Sequence, residues 1–344
     1  MKLVKTTEAV GQVLCHDITQ IIPGVKKDAV FRKGHIITEE DIPVLLSVGK
    51  DMIYIWENDE TMLHENDAAE ILYRMTAGEN MHPSEVKEGK IEVIADSDGL
   101  LKVDRERLKK VNSFGELMIA ARHGNTVVKK GDKLAGTRII PLVIKKEKME
   151  KASEICSDVP ILKILPFTMK KAAVITTGNE VFYGRIKDGF TPVIEKKINE
   201  FGVEMVFHET FNDDDKKITK GCLDAVNTGV DIIFCTGGMS VDPDDKTPLA
   251  IKNTGADIIS YGSPVLPGAM FLLSYYKKDD RIIPICGLPG CAMYNKRTIF
   301  DLVLPRLLAN DMITSDELAL LGEGGFCLNC DVCTFPNCGF GKGW

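Results

Sequence analysis

The chain has 344 residues, of which 44% are hydrophobic and 27% charged, so it is long enough for two or three domains and its composition excludes disorder. Its net charge of -7, with basic residues scattered or in short pairs such as Lys26-Lys27, argues against nucleic acid as the main ligand. No apolar run reaches membrane-spanning length and the opening "MKLVKTTEAVGQVLCHD" lacks a signal-type apolar core, so a cytoplasmic protein with no membrane partner is expected.

Residues 1–150 form an α+β, β-rich region. "AVFRKGHIITEEDIPVLLSVGKDMIYIW" predicts a turn at Lys33-Gly34, a helix from about Glu39 to Val48 and a strand ending at Trp56. "EVIADSDGLLKVD" and "NTVVKKGDKLAGTRIIPLVI" predict strands separated by turns. His16, His35 and the "HEND" run at His64–Asp67 read more simply as capping or surface groups than as metal ligands. The polar stretch Lys145–Pro160 reads as the linker, with a helical turn and then a proline stop, and the linker between the two regions is placed at 151–169.

From Lys170 to about residue 312, short β-branched runs alternate with helical patterns. "AAVITTG", "VEMVFHE" and "VDIIFC" predict strands, and "TPVIEKKINEFG" predicts a helix with Ile194, Ile198 and Phe201 on one face. Asp213 to Asp215 offer an N-cap to the next helix, which carries Ile218, Cys222, Leu223 and Val226. "KTPLAIKNTG", the strands "ADIIS", "MFLLSYY" and "RIIPIC", and a helix around Thr298–Leu308 complete the pattern. Near-continuous apolar strands alternating with amphipathic helices predict a mostly parallel sheet in a three-layer α/β/α domain.

In such a sheet ligands bind beyond the carboxyl ends of the strands. Three loops fall there: "TTGNE" at Thr176–Glu180, "TGGMSVDPDD" at Thr236–Asp245, and "CGLPGC" at Cys286–Cys291. Glycines permit close approach of a ligand to backbone amides, and carboxylates beside a bound phosphate require a cation between them. Glu180, Asp242 and Asp245 therefore imply Mg²⁺ if a phosphate binds here. The alternative is that Gly-Gly and Pro-Gly turns with capping residues serve the fold alone.

Five segments in order resemble the molybdopterin-binding domain of molybdopterin molybdotransferases, the family of MoeA and the gephyrin E domain. They are "VITTGNEV" for S-T-G-D-E-L, "FNDDDKKI" for the acidic loop, "TGGMSVDPDD" for S-G-G-V-S-x-G-x-x-D, "LPGAM" for K-P-G-K-P, and "GLPGCA" for G-L-P-G-N-P. The resemblance covers about two-fifths of the chain. It implies binding of molybdopterin or its adenylate, and Mg²⁺-dependent insertion of molybdate with release of AMP. Glu180 and Asp245 fall on the family's catalytic and cation-holding carboxylates; Thr176, Thr177, Gly178, Gly237, Gly238, Ser240, Pro289 and Gly290 would line the ligand. A homo-oligomer and an acceptor molybdoenzyme are implied as partners.

The chain departs from the family at several points. Leu266 and Ala269 replace its lysines, Cys291 its asparagine, and "DGF" at Asp188–Phe190 its D-S-N. The family's N-S-A-M-D-G-Y-A segment and its carboxy-terminal β-domain have no counterpart. These departures favour a non-catalytic binding or delivery protein as the second reading, while the retained Glu180 and Asp245 favour catalysis; a nucleotide-processing enzyme related to the competence-damage family, which shares this domain, is a third, weaker reading. In the first half, "FRKGHIITEEDIPVLLSVGKDMIYI" resembles small SAF-type β-clip modules.

Residues 313–344 form a Cys-rich tail. Cys327, Cys330, Cys333 and Cys338 are spaced C-x₂-C-x₂-C-x₄-C, close enough for four thiolates to meet at one centre. In a reducing compartment that spacing points to metal, either zinc in a Cys₄ site or an iron–sulfur cluster of the kind held by bacterial ferredoxin runs.

Overall fold

The computed structural model describes residues 1–22, 26–55 and 59–343. The chain divides into two compact units, the first made of residues 1–97, 103–122 and 129–164, the second of 98–102, 123–128 and 165–344.

The first unit is built from small antiparallel sheets. Lys2–Lys5 pairs with Met52–Ile55, and Ile18–Ile22 pairs with Lys26–Phe31. With the helix Asp41–Ser47 these segments enclose a small core of Ala9, Leu14, Ile18, Ile37, Leu45 and Ile53. Trp56 lies outside the described residues. Farther along, a four-stranded antiparallel sheet takes the order Met81–Pro83, Lys90–Ala95, Lys133–Ile139, Leu117–Ala121. The helix Glu65–Thr76 packs on it through Ala68, Ala69, Leu72 and Met75. His64 is a structural residue: its Nε2 lies 2.9 Å from the Cys15 carbonyl and its Nδ1 accepts from the Asn66 amide at the start of that helix.

The polar stretch read as a linker with a helical turn holds an 11-residue helix, Lys146–Cys156, which buries Met149, Ala152 and Cys156 and packs against the helix Glu65–Thr76. A helix with only one narrow apolar stripe reads as polar when its residues are averaged, which is why the sequence suggested a linker.

In the second unit, the elements that position the site are β1 (Lys171–Thr177), α1 (Asn179–Phe182), α2 (Thr191–Asn199), β2 (Glu204–Phe211), α3 (Asp215–Asn227) and β3 (Ile232–Thr236). They are followed by α4 (Thr247–Asn253), β4 (Asp257–Tyr261), β5 (Leu272–Lys278), β6 (Arg281–Leu288), α5 (Ile299–Leu308) and α6 (Ser315–Leu320). The sheet order is β2-β1-β3-β6-β5-β4. The pairs β1–β2, β1–β3 and β3–β6 are parallel, while β5 runs antiparallel to both neighbours, so the sheet is mostly parallel.

The chemistry of each strand explains its place. β1 and β3 are buried along nearly their whole length, and their alternate residues feed two separate cores. Val174 and Phe234 point to the side covered by Ile194 and Ile198 of α2 and by Phe300, Val303 and Leu304 of α5. Ile175 and Cys235 point to the side covered by Ile218 and Cys222 of α3 and Ala250 of α4. Three layers result. Cys235 and Cys286 behave as small apolar core residues; both are fully buried, and burial pushes the Cys286 thiol well up. No helix among the described residues is long and apolar enough to cross a membrane.

Candidate functional site

β1 is followed by β2 on one side of it and, after α3, by β3 on the other. The chain order therefore reverses between β1 and β3, which makes their carboxyl ends the crevice of this sheet. All three loops singled out from the sequence leave from this end, after β1, β3 and β6.

The two threonines ending β1 project to opposite faces and do different work. Thr176 is 2% exposed, and its hydroxyl lies 3.1 Å from each of Asp188 Oδ2, Thr191 Oγ1 and His208 Nε2. Asp188 is the hub of this network. It accepts the Phe190 and Thr191 amides and the Thr191 hydroxyl, which fixes the turn entering α2. Burial pushes the Asp188 carboxyl up, but the bonds from Thr191, Phe190 and Thr176 outweigh it and hold it below its ordinary value. Thr177 faces the other way, donating to the Thr236 carbonyl at 3.1 Å with its hydroxyl 2.9 Å from that of Thr247 at the start of α4. Both predicted ligand-lining hydroxyls are thus committed to internal partners.

The glycines of the second loop are needed for contact with the first. Gly237 and Gly238 have φ of +82° and +52°, and a Cβ on Gly237 would sit 2.1 Å from the Thr177 carbonyl oxygen. A Cβ on Gly238 would meet the Thr247 hydroxyl at 2.9 Å. Only a backbone without side chains brings the two loops this close. Met239 is buried against Gly287 of β6, where a Cβ would meet its sulfur at 2.4 Å, so the second loop also locks onto the third strand end.

Beyond Met239 the second loop becomes exposed. Ser240 and Asp242 to Asp244 face solvent, and Val241 is 84% exposed. The turn is held by Asp245, whose amide donates to the Asp242 carbonyl at 2.9 Å and whose carboxylate accepts the Asp242 amide at 3.0 Å. Tyr261 donates to the Met239 carbonyl at 2.9 Å, and burial and the nearby Asp245 push its phenol up. Asp244 is exposed to solvent, and the residue before α4 is Lys246, without a side-chain bond.

Glu180 is exposed at the start of α1, and its carboxylate folds over Gly178, which takes φ +134°. Asp213, in the acidic loop after β2, joins this group although the sequence does not mark it as a candidate site residue. Asp214, not Asp213, caps α3; Asp213 instead accepts the Asn179 amide at 3.0 Å, tying the acidic loop after β2 to the first loop. Burial pushes the Asp213 carboxyl up, the Asn179 amide opposes this, and Glu180, Asp244 and Asp245 push it farther up. Four carboxylates from three loops therefore share one electrostatic neighbourhood. Among the described residues no three His, Cys, Asp or Glu side chains converge closely enough to form a metal cage by themselves. In the third loop Pro289 is buried at the end of β6 and Gly290 is exposed, opening a short 3₁₀ turn, Gly290–Met293. The Thr236 hydroxyl, at the end of β3, is fully buried with no hydrogen-bond partner among the described residues.

The Cys-rich segment is anchored to the same unit. α6, with a Thr314–Glu317 capping box, carries Leu318 into the core, so the segment expected as a tail from residue 313 begins as packed structure. Leu266 donates its amide to the Gly325 carbonyl and accepts the Cys327 amide, both at 2.8 Å. Leu266 stands where the resembled family has a lysine. Cys333 is exposed, and its thiol is held below its ordinary value chiefly by the Phe335 amide, with Arg297 adding to the effect.

With the loops placed, the comparisons with known proteins agree on the second unit. Residues 173–309 match a family described as a probable molybdopterin binding domain. Residues 3–57 match a domain of unknown function (DUF8806). A protein of Bacillus cereus strain B4264 named as competence-damage inducible is 23% identical over 129 residues, covering 38% of this chain and 30% of that protein. A CinA-like protein of Flavobacterium psychrophilum is 26% identical over 148 residues, 38% of this chain and 35% of its own length. The chain thus spans about a third of the length of the curated relatives it matches. Among solved structures, the tungsten cofactor synthesizing protein MoaB of Pyrococcus furiosus is 18% identical, covering 42% of this chain and 98% of its own, with a TM-score of 0.35. The family match bears on molybdopterin binding and does not extend to the narrower molybdotransferase assignment.

Proposed function

We propose that this protein acts in molybdenum cofactor biosynthesis, binding the phosphate or adenylated end of molybdopterin over the crevice between β1 and β3 and inserting molybdate as AMP leaves. The observation that carries this reading is the grouping of Glu180, Asp213, Asp244 and Asp245 around loops whose glycines, Gly237 above all, bring the strand ends into contact. Burial raises the Asp213 carboxyl first, and Glu180, Asp244 and Asp245 add to it, so a cation placed among these groups would relieve their repulsion. An all-oxygen, acidic donor set fits Mg²⁺, which is held by one or two carboxylates with the remaining positions filled by substrate phosphate and water. Asp245 and Glu180 would hold it, with Asp213 behind them. Bound there, Mg²⁺ would neutralise the charge that develops as a phosphoanhydride is cleaved.

The protein's own groups supply the rest. The Asp188 network fixes the turn into α2, Thr177 and Gly237 fix the separation of the two loops, and Ser240 and Gly290 offer exposed surface to a ligand, with the buried Pro289 setting the start of the third loop's turn. Val241 of the second loop, with Tyr183 and Tyr294 on the short helical turns that follow the first and third, are 84%, 60% and 74% exposed and would offer apolar and aromatic surface to a planar pterin.

One observation favours the second reading, a protein that binds and delivers the cofactor. Leu266 and Ala269 supply no cation, and the Leu266 backbone is occupied by the Cys-rich segment. The test is direct: purified protein is mixed with adenylated molybdopterin, Mg²⁺ and molybdate, and AMP is measured. AMP release that Asp245→Ala abolishes supports the transferase. Tight pterin binding with no AMP release assigns the protein to delivery, and no pterin binding defeats both.

A further inference from the structure

The four tail cysteines are not dispersed on a loose end. Cys327, Cys330, Cys333 and Cys338 all line one cavity of about 240 Å³, walled on its other sides by Phe335 and Phe340 and bordered by Lys296 and Arg297. The backbone around it is closed by glycines: Gly341 donates to the Gly324 carbonyl at 2.9 Å, and a Cβ on Gly324 would meet the Gly339 carbonyl at 2.9 Å. Phe340 is 5% exposed and joins the core of the second unit, so both ends of the loop are pinned.

We propose that this cavity is the binding site of a four-iron iron–sulfur cluster ligated by Cys327, Cys330, Cys333 and Cys338. The distinction from zinc rests on size and surroundings. A single tetrahedral ion at about 2.3 Å from each sulfur draws four thiolates into mutual contact, and nothing of more than atomic size fits between them. The space the four cysteines line here is several times the roughly 30 Å³ share of one water. A cluster of metal and sulfide fills such a space, whereas one ion does not.

The wall suits a cluster in two further ways. Phe335 and the buried Phe340 give it an apolar wall on one side, and apolar surroundings are one of the means by which proteins tune clusters. A cluster with four thiolates is anionic, and two cations stand beside it: Lys296 donates to the Cys330 and Asp331 carbonyls at 3.4 and 3.0 Å, and the Arg297 guanidinium lies 4.8 Å from the centroid of Phe335. Both cations follow the third loop directly, within eight residues of Pro289. The backbone of Leu266 holds the start of the cysteine run. Its backbone bonds to Gly325 and Cys327 make it the clamp of the first cysteine, a task for which a lysine side chain is not needed. This inference is independent of the transferase reading and stands or falls without it.

The test uses the full chain purified without oxygen, then treated with ferrous iron and sulfide. The expected result is about four iron and four acid-labile sulfide per chain, with a broad absorption near 400 nm that bleaches on reduction. The double variant Cys330→Ser/Cys333→Ser should lose most of the iron and the absorption, while Cys291→Ser, outside the run, keeps both. One zinc per chain without sulfide overturns the proposal, as does a wild-type protein that takes up no iron, or a double variant that retains its iron and sulfide. The wild-type spectrum and metal-to-sulfide ratio decide between cluster and single ion even if a variant fails to fold.

Discussion

The first and second loops of the crevice lie side by side and are built on opposite principles. The first is fixed from within: Thr176 and Thr177 are buried, and the Asp188 turn that follows is locked by four bonds. The second is packed into the core as far as Met239, after which Ser240 to Asp244 are exposed and the turn is held by the Tyr261 hydroxyl on the Ser240 carbonyl at 3.3 Å and by its own Asp242–Asp245 bonds. The contrast separates positions that make the site's shape from positions that can respond to a ligand. Substitutions in the first set should cost stability, and those in the second should cost binding.

The largest effect falls where the two loops touch. Gly237→Ala places a carbon against the Thr177 carbonyl at 2.1 Å on a residue with φ +82°, and backbone cannot yield cheaply. A loss of about 3 kcal/mol or more is expected in denaturant unfolding. Gly290→Ala is the matched control, with no atom within 4 Å of the new carbon, and should stay within about 0.5 kcal/mol of wild type. Equal losses would show that the loops do not depend on this contact.

Next comes Asp188. Replacing it with alanine removes charged hydrogen bonds from a part-buried hub and should cost about 2 kcal/mol at neutral pH. Its folded carboxyl titrates below its unfolded value, so its contribution is fully present above the unfolded pKa of about 3.9 and is lost as pH falls through the folded value. The stability difference between wild type and Asp188→Ala should therefore shrink on acidification below about pH 4. A difference that grows there would mean the carboxyl is not stabilised by these bonds. Thr177→Val, which removes one hydroxyl with two partners, should cost about 1 kcal/mol.

The same contrast marks what a sequence discloses. The run Ala172–Thr177 is legible because continuous burial on both faces demands continuous apolar chemistry, and the strand ends then locate the loops. The helix Lys146–Cys156 is not, because only Met149, Ala152 and Cys156 of its residues are buried and its polar face dominates. The loop glycines could be singled out, but not the reason for them, since Gly237 answers to a carbonyl sixty residues away in β1. Asp213 reads as one of three adjacent capping residues. What separates it from Asp214 is the bond to Asn179, which depends on β2 lying beside β1 in register and has no local trace.

Asp245→Asn is the smallest change to the fold and the most informative about the site. The amide oxygen of asparagine can accept the Asp242 amide as the carboxylate does, so the turn survives and stability should move by less than about 0.5 kcal/mol. The charge does not survive, and one of the groups pushing up the Asp213 carboxyl is removed. If these carboxylates hold a cation, wild type should gain thermal stability as Mg²⁺ is added, by an amount that grows with the logarithm of its concentration above the dissociation constant. Asp245→Asn should lose most of that gain while Gly290→Ala keeps it. A Mg²⁺ response unchanged by Asp245→Asn would place the cation elsewhere and leave the second loop with a structural turn alone.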